Sequence, residues 1–105
     1  MLELNKTISI FNQYLINKKY YDAHEILEEV WYPLRFKRDT KYFMLKGLIN
    51  ASVSFELHKR GKIDASNKIF LVYLKYKDMI ELYIEQYPKL EQTINIIERR
   101  KEELS

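Results

Sequence analysis

Apolar positions recur with the period of an α-helix in five successive stretches of the chain. Leu4, Ile8, Phe11 and Leu15 share one stripe and predict a first helix over 4–15. Asn17-Lys18-Lys19 interrupts it, and Asn17 suits the left-handed residue that often ends a helix. A second helix is predicted over 20–32, with Tyr20, Ala23, Leu27 and Trp31 as its apolar face. It must stop before Pro33, because proline disfavours helical geometry in the residue before it. Residues 34–38 read as a loop. Asp39 or Thr40 then caps a long third helix that runs to about Arg60, with Gly61 as its C-terminal cap. Large apolar residues point in nearly every direction around this helix, the mark of a central element. Gly47, Ala51 and Ser54 leave one narrow face of small side chains, where another helix can approach closely. A fourth helix is predicted from Asp64 to about Gln86, because Ala65, Ile69, Val72, Tyr76, Ile80, Tyr83 and Tyr87 continue one stripe far past strand length. Pro88 suits the first turn of a fifth helix, reaching Leu104. Leu90, Ile94, Ile97 and Leu104 are its apolar positions, and they either dock on the bundle or pair with a second copy. The pattern predicts an all-α, compact five-helix bundle, a single domain over residues 1–105.

Composition narrows the chemistry. The 105 residues hold only two glycines and two prolines, too few turn residues for a sandwich or barrel. There is no cysteine, which excludes disulfides, thiolate metal sites and cysteine nucleophiles. No apolar run approaches the ~18–20 residues of a membrane helix. The opening Met1-Leu2-Glu3-Leu4-Asn5 shows no cationic region followed by an apolar one. The expectation is a cytoplasmic protein with no membrane partner.

The net charge of +3 is mild. Arg35, Lys37, Arg38 and Lys41 bracket the loop into the third helix and could take an anion or nucleic acid, but charged loops are usually only solvated, so a nucleic-acid partner is not expected. Aromatic residues make up 14% of the chain, which is more than so small an interior needs. Several of Tyr14, Tyr32, Tyr73, Tyr76, Tyr83 and Tyr87 are therefore expected at the surface or at an interface. That surplus suggests a small helical binding or assembly module that associates with itself as a homodimer.

One segment carries candidate chemistry. On the second helix His24 and Glu28 are i, i+4 neighbours at the edge of the apolar face, beside Trp31. Glu25 and Glu29 form a second such pair, rotated toward the opposite side. A histidine and a carboxylate one turn apart can share a proton, co-ligate a metal, or simply bond to each other. The zinc-protease signature is absent, since it requires histidine where Glu28 stands. The second histidine, His58, lies on the small-residue face of the third helix. If that face meets the second helix, His24, Glu28 and His58 form a ligand set for a divalent metal, with Glu25 as a second carboxylate and an open position for water. If not, His58 is a cation near a helix C-terminus, where the helix dipole favours it.

The run Tyr20-Tyr21-Asp22-Ala23-His24-Glu25-Ile26-Leu27-Glu28-Glu29-Val30-Trp31 is followed by Phe43-Met44-Leu45-Lys46-Gly47-Leu48-Ile49-Asn50-Ala51 and by His58-Lys59-Arg60-Gly61. In this order the segments resemble domain-of-unknown-function family 309, across roughly residues 11–75, with the C-terminal helix at 88–104 outside that core. The resemblance implies a compact helical bundle and no established activity. Carried over residue by residue, its polar set is His24, Glu25, Glu28, Trp31, Gly47, His58, Arg60 and Gly61. Lys46 and Asn50 stand where the family pattern has glutamines, and Lys62 where it has asparagine, so the candidate pocket of this chain also includes Lys46 and Asn50.

Overall fold

The computed structural model describes residues 3–105, with Met1 and Leu2 of the N-terminal stretch lying outside the described residues. Five α-helices follow one another: α1 (Leu4–Ile16), α2 (Tyr20–Trp31), α3 (Thr40–Lys59), α4 (Ile63–Leu82) and α5 (Lys89–Leu104). A single 3-10 turn at Tyr32–Leu34 follows α2. No strand occurs among the described residues. None of their helices is long and apolar enough to cross a membrane. The fold is the all-α bundle expected from the periodicity.

The helix ends show why the chain breaks where it does. The Asp39 side chain accepts the Tyr42 N–H at 3.0 Å and caps α3, as expected. At the other end Gly61, with φ +81°, allows Lys62 N–H to reach Leu57 C=O at 2.9 Å and its own N–H to reach His58 C=O at 2.9 Å. The same double bond ends α1, but there the left-handed residue is Lys18 (φ 60°) and not the expected Asn17. The six-residue hydrogen bond from Lys19 N–H to Tyr14 C=O fixes that position one residue later than the side-chain preference suggested. Asp64 lies inside the first turn of α4, behind Lys62 at the cap position, where its charge still faces the positive end of the helix dipole. α4 stops at Leu82, short of the expected Gln86. Residues 83–87 form a turn closed by Tyr87 N–H on Tyr83 C=O at 2.7 Å. Pro88, which has no N–H to donate, stands at the cap of α5.

α3 is the central helix. It packs mainly on α4 along one side and on α2 along the other, while α1 bridges α2 and α5. The small-residue face meets α4. A Cβ at Gly47 would lie 3.1 Å from Tyr76 Cβ. Lower on the same face, Ser54 and Ser66 are buried and exchange hydroxyl-to-carbonyl bonds of 2.7 Å in both directions. α5 is held to α1 by a buried polar pair, with the Thr93 hydroxyl 2.5 Å from Asn12 Oδ1. At the far end the Arg100 guanidinium bonds the Tyr20 hydroxyl and Leu15 C=O.

The tyrosines divide. Tyr73 and Tyr87 are buried, Tyr14, Tyr76 and Tyr83 are half-buried, and of the six only Tyr32 is exposed. Tyr73 can be buried because its hydroxyl donates to Glu98 at 3.0 Å, and Lys77 neutralises that carboxylate from 2.6 Å. Burial, then the Glu98 charge, raise the Tyr73 pKa, and burial raises that of Tyr20. The hydrogen bond to Glu98 likewise raises Lys77.

All three groups thus hold their protons more tightly folded than unfolded. Their contribution to stability is complete below about pH 10, where the unfolded groups are still protonated, and is lost as pH rises toward the folded values. Urea unfolding midpoints are expected to fall with pH above about 10, and Tyr73→Phe should flatten that fall. An unchanged slope in Tyr73→Phe would contradict the burial of this phenol.

Candidate functional site

The buried stripe Tyr20, Ala23 and Leu27 seats α2 against the core, which leaves His24, Glu28 and Trp31 along the seam with α3. From the α3 side, Lys46 and Asn50 face them, with Ile49 and Val53 as the apolar floor. Together these residues enclose an open hollow of about 220 Å³. His24 Nε2 lies 2.5 Å from Glu28 Oε2, so the two side chains are bonded to each other. The Asn50 amide donates to Lys46 C=O at 2.8 Å, which turns its N–H group back onto its own helix.

Trp31 is the feature that packing alone does not account for. Its ring stacks on Tyr42 with centroids 5.3 Å apart. Its Nε1 atom is buried, and it is the one buried side-chain nitrogen or oxygen among the described residues without a hydrogen-bond partner. A buried donor left unpaired costs about 1–3 kcal/mol, and such groups are rare in folded proteins. The Lys46 ammonium lies 5.9 Å from the Tyr42 ring centre and 6.0 Å from that of Tyr76.

His24 also borders a second hollow, of about 210 Å³, shared with Tyr21, Glu56 and Arg60. Arg60 is bonded there to Glu56 at 3.1 Å. Glu25 is exposed, yet one of its carboxylate oxygens lies within 4.8 Å of ligand atoms of both His24 and Glu28. The structure thus brings together His24, Glu25, Glu28, Trp31, Lys46 and Asn50, with Arg60 in the adjoining hollow.

His58 is not among them. The small-residue face on which it sits turns toward α4, because that is where Gly47 and Ser54 find their partners. His58 instead lines a hollow with Tyr20, Phe55 and Arg100. The cations of the loop do not converge on one ligand either. Arg35 folds over the Tyr32 and Phe36 rings, at 3.6 and 4.3 Å from their centres, Arg38 faces Tyr42, and Lys41 faces Tyr87.

Helical spacing places Trp31 in the cluster, but the solitude of its N–H depends on what stands opposite it in space. A matching sequence signal does exist: Trp31 is the only tryptophan, set one turn beyond a His-Glu pair.

Comparison with known proteins gives one match. The profile of a family described as "Domain of unknown function (DUF309)" matches residues 8–69. No curated protein and no solved structure matches the chain.

Proposed function

Because the chain belongs to the DUF309 family, whose description carries no activity, we propose a function from the site itself: a small helical binding module that takes a small anionic molecule in the hollow between α2 and α3. The observation that carries this reading is the buried Trp31 N–H without an acceptor. A turn of the indole that opens this sealed N–H to the hollow would let a bound carboxylate or phosphate oxygen accept from it, and the Lys46 ammonium, which lines the same hollow, supplies the matching charge. The His24–Glu28 pair on the opposite wall favours a ligand that also presents a donor. The volume of about 220 Å³ lies below the ~300–1,000 Å³ of drug-sized sites, so the occupant is a molecule of few heavy atoms. Self-association as a homodimer, in keeping with the exposed rings of Tyr21, Tyr32 and Phe36, and a cytoplasmic location, in keeping with the cysteine-free composition, belong to the same reading.

Calorimetric titration with inorganic phosphate, acetate and succinate tests it. Binding of at least one is expected, and Lys46→Gln should weaken it about tenfold, the effect of losing one charge-assisted contact of ~1.4 kcal/mol. No heat with any of the three, or binding indifferent to Lys46→Gln, would contradict the proposal.

A second reading rests on the approach of His24, Glu25 and Glu28. An imidazole and two carboxylates suit zinc or manganese, with Glu25 in the place expected for His58. Under this reading, zinc or manganese ions raise the melting temperature of the chelator-treated protein, and His24→Gln abolishes the rise. A melting temperature indifferent to both ions removes it.

A further inference from the structure

The loop after the 3-10 turn carries the most exposed large apolar side chain among the described residues. Phe36 is 82% exposed. It is nevertheless held in place. The Arg35 guanidinium is sandwiched between the Tyr32 and Phe36 rings and donates to Tyr32 C=O at 2.7 Å. The backbone behind it is closed by Lys37 N–H on Leu34 C=O at 3.0 Å. An exposed phenylalanine costs little disorder on binding when its loop is already ordered, so this is a preorganised knob. Its flanks are basic: Arg35 before it, Lys37 and Arg38 after it.

Beside this loop lies the largest hollow described, of about 480 Å³. Ile26 and Val30 of α2 form its apolar walls with Pro33 and Leu34 of the turn. Its lining also carries Glu29 and, from α3, Lys41, while outside the hollow the exposed Asp22 and Glu25 extend the Glu29 side as an acidic stripe of α2 at helical spacing. One face therefore presents an aromatic knob among positive charges next to an apolar hollow whose α2 side is acidic, with Lys41 on the α3 side. Such a surface is complementary to itself under a two-fold rotation, in which residue i meets j and j meets i.

The geometry points to a second copy of this chain as the occupant: Phe36 of each protomer inserts between Ile26, Val30 and Leu34 of the other, with Lys37 and Arg38 against Glu29. The inference rests on the self-association part of the reading above and assigns its surface. The charge match selects a basic, aromatic partner, and the loop itself has that chemistry.

Sedimentation equilibrium of the full chain from about 1 to 500 μM tests it. A dimer is expected, and Phe36→Ala should raise its dissociation constant at least ~30-fold, as for a central aromatic anchor. The exposure of Phe36 keeps the fold out of this comparison. Glu29→Lys should weaken the dimer, as should Lys37→Glu with Arg38→Glu, and the three changes combined should restore it. A chain that stays monomeric, whether idle or bound through Phe36 to anionic vesicles, overturns both self-association and this surface. A dimer unmoved by Phe36→Ala overturns the surface alone.

Discussion

Phe55→Ala is expected to lower the free energy of unfolding by about 3–5 kcal/mol, the range for removing a buried phenylalanine whose site cannot collapse. Phe55 is 1% exposed on the central helix. Its ring lies 5.4 Å from that of Tyr20 on α2 and 6.1 Å from that of Phe70 on α4. Tyr20 in turn receives the Arg100 guanidinium of α5. One side chain therefore stands where three helices meet and where the fourth is tethered. The walls of the cavity left by alanine belong to different helices, so no single rotamer change can fill it. Domains of this size are stable by only about 5–15 kcal/mol, so the loss is a large share of the whole. The melting temperature should drop by roughly 12 °C or more, at ~4–8 °C per kcal/mol. Phe55→Leu keeps most of the volume and should cost about 1–1.5 kcal/mol. Urea unfolding of the two variants checks this, and a loss under about 1 kcal/mol for alanine would contradict the packing of these rings.

Gly47 should respond in the opposite sense to size. In an isolated helix Gly47→Ala would gain up to about 1 kcal/mol of helix propensity. Here the new Cβ would stand 3.1 Å from Tyr76 Cβ and 3.4 Å from Ile80 Cδ1. The Ile80 methyl can turn aside, whereas a Cβ is fixed to its helix, so α3 and α4 must separate by a few tenths of an ångström. The separation strains the buried Ser54–Ser66 exchange two turns away, whose two bonds of 2.7 Å join the same helices. Alanine should therefore yield no gain and a loss of up to about 1 kcal/mol. Valine adds two further methyl groups at the contact and loses helix propensity as well, and should cost about 3 kcal/mol. Chemical denaturation of both variants tests the closeness of the two helices. A Gly47→Val protein as stable as the parent would contradict it.

Gly47 also shows where the sequence is legible and where it is not. The run Gly47, Ala51, Ser54 announced that some helix approaches α3 closely, because only small side chains permit it. It did not say which helix. That depended on Ser66 and Tyr76, whose roles as partners appear only once α4 is folded back on α3. The placement of His58 turned on the same choice. The helices themselves were readable because period, caps and prolines agreed. The misreadings came where backbone hydrogen bonding outweighed side-chain preference, as at Lys18 for Asn17 and at the early end of α4. His24, Glu28 and Trp31 were readable as neighbours because helical spacing alone places them. Lys46 and Asn50 entered the candidate pocket through the family resemblance alone, because the register of α2 against α3 that sets them opposite His24 is encoded by no local pattern. Burial of Tyr73 was hidden for the same reason, since Glu98 lies 25 residues away in the chain.

In the proposed binding mode the Trp31 N–H gains its acceptor from a bound small anion. As the only tryptophan, it gives a single indole N–H resonance in a nitrogen-15 correlation spectrum, so binding can be watched at one signal. The free protein should show that resonance at a position typical of an N–H without a hydrogen bond. Titration with inorganic phosphate, acetate or succinate should move it downfield in a saturable way, and Lys46→Gln should shift the midpoint to about tenfold higher concentration. An indole resonance already at a hydrogen-bonded position in the free protein, or one that none of the three anions moves, would contradict anion binding at Trp31.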